Sequence, residues 1–379
     1  METMDHVDVC VAGAGIIGLS LALELRRRGR SVMVLEKGHA MRESSWAAAG
    51  MLAADDPELP SALREMAHLS VDLYPEFLNR IRSLSGHSVP VRTVETLLGA
   101  PLGSAHGVEG APAAPSAALP PDELKAIEPI LAPGNYAWKL IREASVNPRD
   151  LCVALPAALA TPFQNVVIRM LEMAEWLPPS GPAESTRDGY VIHTPLGDTL
   201  ATNVVDCRGA WADLSGDMGI SGPTQFGPRK GQALSIELPA GMRLTRTIRT
   251  NEVYIVPRGD GRALIGATLE EAGYDKSVDD ASIAALVASA DVLVPGIAQG
   301  TILERWAGLR PLSADGLPVI GAVPGRPGCF IASGHFWDGI LLAPATAHLM
   351  AQLICGETPS ICLDAFDPAR FCAMEAGNR

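Results

Sequence analysis

Near its start the chain reads Gly13-Ala14-Gly15-Ile16-Ile17-Gly18, and Glu36 and Lys37 follow, Glu36 lying 18 residues after the last glycine. Glycines spaced GxGxxG permit a tight turn, let a pyrophosphate approach the backbone, and let a helix pack closely on a strand. A helix starting here presents free N–H groups and the positive end of its dipole to phosphates. A carboxylate at the distance of Glu36 can accept hydrogen bonds from an adenosine ribose. The flanks agree. Residues 7–12 read as a short buried strand, and residues 19–28 as a helix closing on three arginines and Gly29. Residues 31–35 read as a second strand ending at Glu36. Strand, glycine turn, helix, strand and acid together describe a dinucleotide site, without choosing between NAD and FAD.

Three further stretches could meet a cofactor. Ser44-Ser45-Trp46-Ala47-Ala48-Ala49-Gly50-Met51 places two hydroxyls before a run of small residues, which would let the backbone press on a flat ring or a diphosphate. On composition alone, an alanine-rich packed helix is the better reading of that run. Residues 203–207 form a strand that meets Arg208-Gly209-Ala210-Trp211, and glycine at such a point allows close backbone approach. Gly334-His335-Phe336-Trp337-Asp338-Gly339-Ile340 brackets aromatic and charged residues with glycines ahead of an apolar run, as a ligand-gripping loop would.

The elements that must position these residues are mostly periodic. Residues 63–84 carry helical spacing, an apolar helix is predicted from about Leu151, and residues 281–294 form an amphipathic helix. Residues 190–202 read as a hairpin around Leu196-Gly197-Asp198, and 232–237, 253–257 and 263–267 as strands. Residues 99–121, rich in Gly, Ala and Pro, read as a mobile surface loop. Nucleotide-type segments stand at both ends and in the middle with β-rich segments between, so two domains interleaved in sequence are expected.

Totals narrow the class. A 379-residue chain can bury a sizeable core, and a net charge of −13 argues against nucleic acid as a partner. Seven cysteines without a CxxC pair suggest reduced thiols in a cytoplasmic protein. The eight histidines show no metal-ligand spacing, so no metal is expected. Residues 7–25 are nearly all apolar, but METMDH before them has no basic region and Glu24 interrupts them, so neither a signal peptide nor a membrane span is expected.

Several motifs, in order, resemble one family. GAGIIG with Glu36, AAAGM at 47–51, GPRKGQAL at 227–234, VYIVPR at 253–258, LIGATLE at 264–270, WAGLRPLSADGLPVIG at 306–321 and GHFWDGILLAPAT at 334–346 resemble the D-amino-acid oxidase superfamily of FAD enzymes, most closely its glycine oxidase, or ThiO, branch. The likeness runs from about residue 7 to 363. It implies an α/β fold: a glutathione-reductase-like Rossmann FAD-binding domain over 1–86, 145–220 and 304–379. The implied α+β substrate domain, over 87–144 and 221–303, rests on a mixed, largely antiparallel sheet.

The same resemblance implies roles. Gly13, Ala14, Gly15, Ile16, Ile17 and Gly18 would hold the pyrophosphate, with Glu36 and Lys37 at the ribose. Ser44 and Ser45 would touch phosphate or ribityl oxygens, and Ala49, Gly50 and Met51 the flavin ring. Met173 would meet the adenine, and Gly209 and Trp211 the diphosphate. Gly334, His335, Phe336, Trp337, Asp338, Gly339 and Ile340 would wrap the pyrimidine end. No cysteine stands around Leu312 and Ser313, so the FAD is expected to be non-covalent.

Amine oxidation by a flavin requires the substrate's α-carbon to be held over the ring. Arg310 would grip the substrate carboxylate from beside the flavin, and Tyr254 would share it; taken alone, a surface ion pair and an edge-strand aromatic would account for the two residues. Met51, Glu252 and Trp337 complete the candidate substrate site. Trp337 stands where the glycine oxidases compared read GHFRNG, so a charge is lost and a flat apolar face gained. It either covers the entrance or packs on the substrate side chain, shifting preference away from small anionic or minimal substrates, or it packs outward and leaves specificity unchanged. The implied reaction is oxidative deamination of glycine, another small D-amino acid or a secondary amine to an imine and α-keto acid. Oxygen would be reduced to hydrogen peroxide, and the product could serve thiazole assembly for thiamine. A sarcosine or D-proline dehydrogenase and a 2-hydroxy-acid oxidase share the fold and remain alternatives. A tRNA-modifying relative is disfavoured by the charge, and a non-catalytic FAD subunit by the retained Tyr254 and Arg310. Self-association is left open.

Overall fold

The computed structural model describes residues 5–102, 118–160, 166–170, 189–193, 197–212 and 226–373. In chain order the strands are β1 (Asp5–Ala12), β2 (Val32–Glu36), β3 (Met51–Leu52), β4 (Val91–Thr93), β5 (Thr96–Pro101), β6 (Tyr136–Ile141), β7 (Ala144–Val146), β8 (Val166–Met170), β9 (Tyr190–Ile192) and β10 (Thr199–Asp206). There follow β11 (Phe226–Glu237), β12 (Thr247–Arg249), β13 (Tyr254–Pro257), β14 (Arg262–Gly266), β15 (Thr301–Ser313), β16 (Val319–Ala322) and β17 (Cys329–Ser333). The helices are α1 (Ile16–Arg27), α2 (Ser44–Ala47), α3 (Arg64–Ser85), α4 (Pro121–Ile127), α5 (Pro148–Ala160), α6 (Asp280–Leu293), α7 (Gly339–Ile354) and α8 (Ala369–Ala373).

Two large sheets dominate. The first has the order β16-β17-β10-β1-β2-β8, with β9 added to β10. β17, β10, β1, β2 and β8 run parallel. β1 is buried from Val9 onward, as the unbroken apolar run of a central parallel strand requires. The second sheet has the order β15-β11-β14-β13-β12-β5-β6 and is antiparallel except for the β12–β5 pair. A small third sheet joins β3, β7 and β4. This is the mixed α/β architecture expected, with a parallel nucleotide-type sheet and a largely antiparallel partner.

Helix α1 is buried along nearly its whole length, because it lies under α7 and α5 as well as on β1 and β2. One acidic side chain interrupts that apolar surface. Glu24 accepts hydrogen bonds from Arg27 Nε (2.9 Å), Arg28 Nε (3.1 Å) and, from α3, Arg80 Nη1 (2.9 Å). His348 of α7 lies 3.8 Å away. Burial alone would raise the Glu24 carboxyl, but the arginines outweigh it and hold it at about 2.

The structure modifies several expectations. Residues 103–117 of the predicted 99–121 loop, and Met173, lie outside the described residues. Gly99 is not loop but β5, where an added Cβ would stand 2.9 Å from the Trp138 ring, and Pro121 opens α4. The strand predicted at 232–237 begins at Phe226, so GPRKG is strand as well. Its glycines and proline disguise it. Pro228 stands opposite Pro311, in a part of β11 where β14 is not yet paired. Among the described residues, no helix is long and apolar enough to cross a membrane.

Candidate active site

A cavity of about 1100 Å³ runs from the glycine turn, past residues 47–51, to Tyr254, Arg310 and Trp337. That exceeds the roughly 300–1,000 Å³ of ordinary small-molecule pockets and suits a dinucleotide with a substrate beside it.

The phosphate end begins at the turn after β1. Gly13 has φ +105°, and an added Cβ would lie 2.5 Å from the Cys207 carbonyl oxygen. At Gly18 the Cβ would fall 2.0 Å from the Gly13 oxygen, so only glycine lets α1 sit this close to β1. Gly15 meets nothing nearer than Ser45 Oγ at 3.5 Å, which leaves room for a phosphate. Gly13, Gly15, Ile16 and Ile17 line the cavity, whereas Ala14 and Gly18 shape the turn from behind and do not line it. The first turn of a helix has N–H groups without intrahelical acceptors. Ile16 gives its N–H to Ser45 Oγ (2.9 Å). Glu36 and Lys37 also line this end. Glu36 accepts from the Ala14 N–H (2.8 Å) and the Gly38 N–H (2.9 Å), one on each oxygen, so lone pairs remain for a ribose. The cradle, the helix end and the acid all fit an adenine dinucleotide.

Ser44 and Ser45 both line the cavity, and both also make bonds within the protein. Ser44 Oγ donates to the Leu309 carbonyl, tying α2 to β15. Gly209 (φ +62°) and Trp211 line the cavity, and Trp211 stacks on Tyr274 at 5.7 Å.

In the middle of the cavity, the alanine run is a single helical turn followed by extended chain, not a packed helix. Trp306 Nε1 donates to the Ala47 carbonyl (3.1 Å), and Arg258 Nη1 to that of Ala49 (2.9 Å). An added Cβ at Gly308 would lie 2.4 Å from the Ala47 Cβ. Ala49, Gly50 and Met51 are thereby pressed against the second sheet with their other side on the cavity. Arg258 is itself buried, and desolvation lowers its guanidinium to about 10.

The loop before α7 closes the same region. Gly334 (φ +76°) makes the turn behind it and does not line the cavity. His335 is buried, bonded through Nε2 to Thr346 Oγ1 (3.0 Å), and burial lowers it to about 3, so it is neutral. Phe336 has φ +48° and gives its N–H to the Pro311 carbonyl (2.8 Å). Gly339 and Ile340 bring the N-terminal end of α7 to the cavity wall. Trp337 is 58% exposed, lines the cavity, and lies 4.1 Å from the Phe336 ring.

At the far end, Arg310 on β15 lies across β11. An added Cβ at Gly231 would come 2.2 Å from its Nη1, so Gly231 makes the groove that holds the guanidinium. Arg310 Nη1 donates to the Thr268 carbonyl (3.1 Å) and more distantly to that of Lys230 (3.4 Å). Among the described residues it has no carboxylate partner. The Tyr254 hydroxyl lies beside it; burial raises that phenol and the neighbouring Arg310 charge offsets part of the rise. An added Cβ at Gly266 would lie 2.7 Å from the Tyr254 hydroxyl. Glu252 is exposed and lines this end.

Sequence reading missed Asp56, Glu58 and Arg249, which also line the cavity. Arg249 pairs with Asp56 and reaches Glu143 at 3.3 Å. Burial, then Asp56, pushes Asp338 up to about 7 against the pull of Arg249. Nothing in their local sequence marks them. Gly231 and Gly308 could have been noticed only by aligning β11 with β15, where they stand opposite each other.

The sequence profile described as FAD dependent oxidoreductase (DAO) matches residues 8–353. The chain belongs to this family of FAD-dependent oxidoreductases. A glycine oxidase of Pseudomonas aeruginosa is 34% identical over 96% of the chain and 97% of that relative. A bifunctional ThiO/ThiG protein of Trichormus variabilis is 30% identical over 96% of the chain and 55% of that relative. Among solved structures, glycine oxidase from Geobacillus kaustophilus superimposes with a TM-score of 0.85 at 30% identity, covering 96% of this chain and 98% of the other. The oxidoreductase is therefore an FAD enzyme whose cavity has a glycine cradle at one end and, at the other, a guanidinium without a carboxylate partner among the described residues.

Proposed function

We propose that this oxidoreductase deaminates glycine or another small amino acid by oxidation, with oxygen reduced to hydrogen peroxide. The observation that carries the reading is Arg310, a cavity-lining guanidinium with no carboxylate partner among the described residues and with Tyr254 beside it. Relatives named glycine oxidase along nearly their whole length support the substrate class. Thiazole assembly for thiamine is the pathway implied by the resemblance to the ThiO type.

Bound FAD supplies the acceptor for a hydride from the α-carbon. The protein's part is placement. Arg310 offers two parallel N–H groups to the substrate carboxylate, and the Tyr254 hydroxyl adds a third donor. Because Gly231 and the Thr268 carbonyl hold the guanidinium, the substrate's α-carbon has few positions open to it. Met51 and Trp337 would limit water at the reacting carbon. Burial keeps Tyr254 protonated, so it donates. For the cofactor, the assigned holders are the 13–18 turn, Glu36, Ser45, residues 49–51, Gly209 and the 335–340 loop. The unit of 1–86, 145–220 and 304–379 would carry it, and 87–144 and 221–303 would wall the substrate. We place the enzyme in the cytoplasm with small-molecule partners.

The test is direct. The purified protein is checked for a flavin spectrum, then mixed anaerobically with glycine, sarcosine, D-alanine, D-proline and a 2-hydroxy acid in turn. Bleaching by glycine or D-alanine is expected. Bleaching by no amine, or by the hydroxy acid alone, would overturn the reading.

A further inference from the structure

Behind the wall of residues 47–51 lies a guanidinium that grips no substrate. Arg258 directly follows β13 and is 8% exposed. Its Nη1 donates to the Ala49 carbonyl (2.9 Å) and, more distantly, to that of Val146 (3.4 Å). Both acceptors are neutral, and among the described residues no carboxylate pairs with it. Its cationic neighbours are matched: Arg92 pairs with Asp150, and Arg149 with Glu304. Burial first, then Arg149 and Arg92, lower the Arg258 guanidinium to about 10, and Tyr254 and Asp150 offset only part of this, so it stays charged at neutral pH. A sunken charge bonded only to carbonyls is costly unless negative charge arises nearby. Cations on the cavity itself are taken up elsewhere. Arg249 is matched by Asp56 and Glu143, Lys276 by Glu43, and Arg310 takes the substrate carboxylate.

The reaction creates negative charge on the other side of this wall. The hydride leaves the α-carbon with both electrons of the C–H bond, the substrate becomes an iminium, and the flavin gains one negative charge. We propose that Arg258 is a positioning residue that fixes the 49–51 wall through the Ala49 carbonyl and, across that peptide, supplies the standing positive charge that favours the reduced, anionic flavin. The proposal rests on the amino-acid reading above and on residues 49–51 facing the ring. A charge already in place needs no reorganisation when the hydride moves, and a buried charge is screened less than a surface one. A carboxylate partner of the kind that Arg92 and Arg149 have would cancel it.

The experiment uses the holoenzyme without substrate. The flavin is reduced in equilibrium with a reference dye, and sulfite, which adds to the oxidised ring and leaves it negative, is titrated separately. Arg258→Gln keeps an N–H donor for Ala49 and loses the charge, whereas Arg258→Lys keeps the charge. In Arg258→Gln the reduction equilibrium constant and the sulfite affinity should each fall about tenfold, which is about 30 mV for a two-electron couple. Arg258→Lys should stay close to wild type in both. Asp150→Asn removes a negative charge near Arg258 without touching the Ala49 contact, and should move both readings the other way. If Arg258→Gln does not keep its flavin, Asp150→Asn carries the test, and readings there that stay put or fall would overturn the inference. So would a wild-type potential in Arg258→Gln, or an equal loss in the Gln and Lys proteins, which would make Arg258 a structural staple alone. With glycine still bleaching the flavin, those results leave the amino-acid reading intact. Should no amine bleach the wild-type enzyme, that reading falls instead, whatever the potentials.

Discussion

At the scale of single residues, Arg310 is held by what is missing opposite it. Gly231 has no side chain, and the guanidinium fills that space. Arg310→Lys keeps the charge but loses the fork, so kcat/KM for glycine should fall about 10²-fold, mostly through KM. Gly231→Ala should reproduce that defect with the flavin-to-protein absorbance ratio unchanged; lost flavin would instead mean a collapsed sheet. Asp338 yields a pH prediction. Its carboxyl sits at about 7 in the fold against the ordinary 3.8, raised by burial and by Asp56 and lowered by Arg249. The folded state therefore binds the proton more tightly than the unfolded chain. Ionising Asp338 weakens the fold progressively from about pH 4 to about 7 and no further above that. Asp338→Asn escapes this, so its gain in Tm over wild type should grow between pH 5 and 7 and then level off. A gain that does not vary with pH would refute the assignment.

At the scale of elements, Glu24 binds α1 to α3 and, more loosely, to α7 through Arg80 and His348. Its carboxyl is held at about 2, below the ordinary 4.5. A lowered carboxyl contributes stability above its unfolded value, and that contribution is lost as pH falls through about 2. Glu24→Gln leaves three arginines facing an amide. Denaturant melts at pH 7 should show a loss of about 2–4 kcal/mol, between the figures for exposed and buried pairs. The acid limb of its stability curve between pH 4.5 and 2 should also flatten. The helix was legible in sequence because its caps and apolar positions are local. The role of Glu24 was not, because Arg80 is 56 residues away.

At the scale of the whole molecule, β15 lies at the edge of the antiparallel sheet and carries Trp306, Gly308 and Arg310 past the 47–51 segment before the chain enters β16 of the parallel sheet. The cofactor cavity thus lies where the two sheets meet, and filling it should stabilise both together. Adding FAD at about 100 times its Kd should raise stability by about 2.7 kcal/mol. Gly18→Ala, whose Cβ would stand 2.0 Å from a backbone oxygen, should purify without flavin and show no such gain in a thermal melt. A yellow Gly18→Ala protein would show that the turn relaxes more easily than this geometry implies.

What the sequence determined by itself was whatever is encoded over short spans. The β1–turn–α1–β2 unit, the turn glycines and the loop before α7 were readable because backbone conformation and apolar periodicity are set by neighbours within about one or two elements. The α/β class and the FAD family followed from such motifs in order. Tertiary structure alone decided which residues meet. Arg258 reaches Ala49 across 209 positions, Arg249 reaches Asp56 across 193, and Gly231 opposes Gly308 only through the β11–β15 register. Pairings of that kind depend on how sheets align and how burial changes a charge, and no local spacing carries that information.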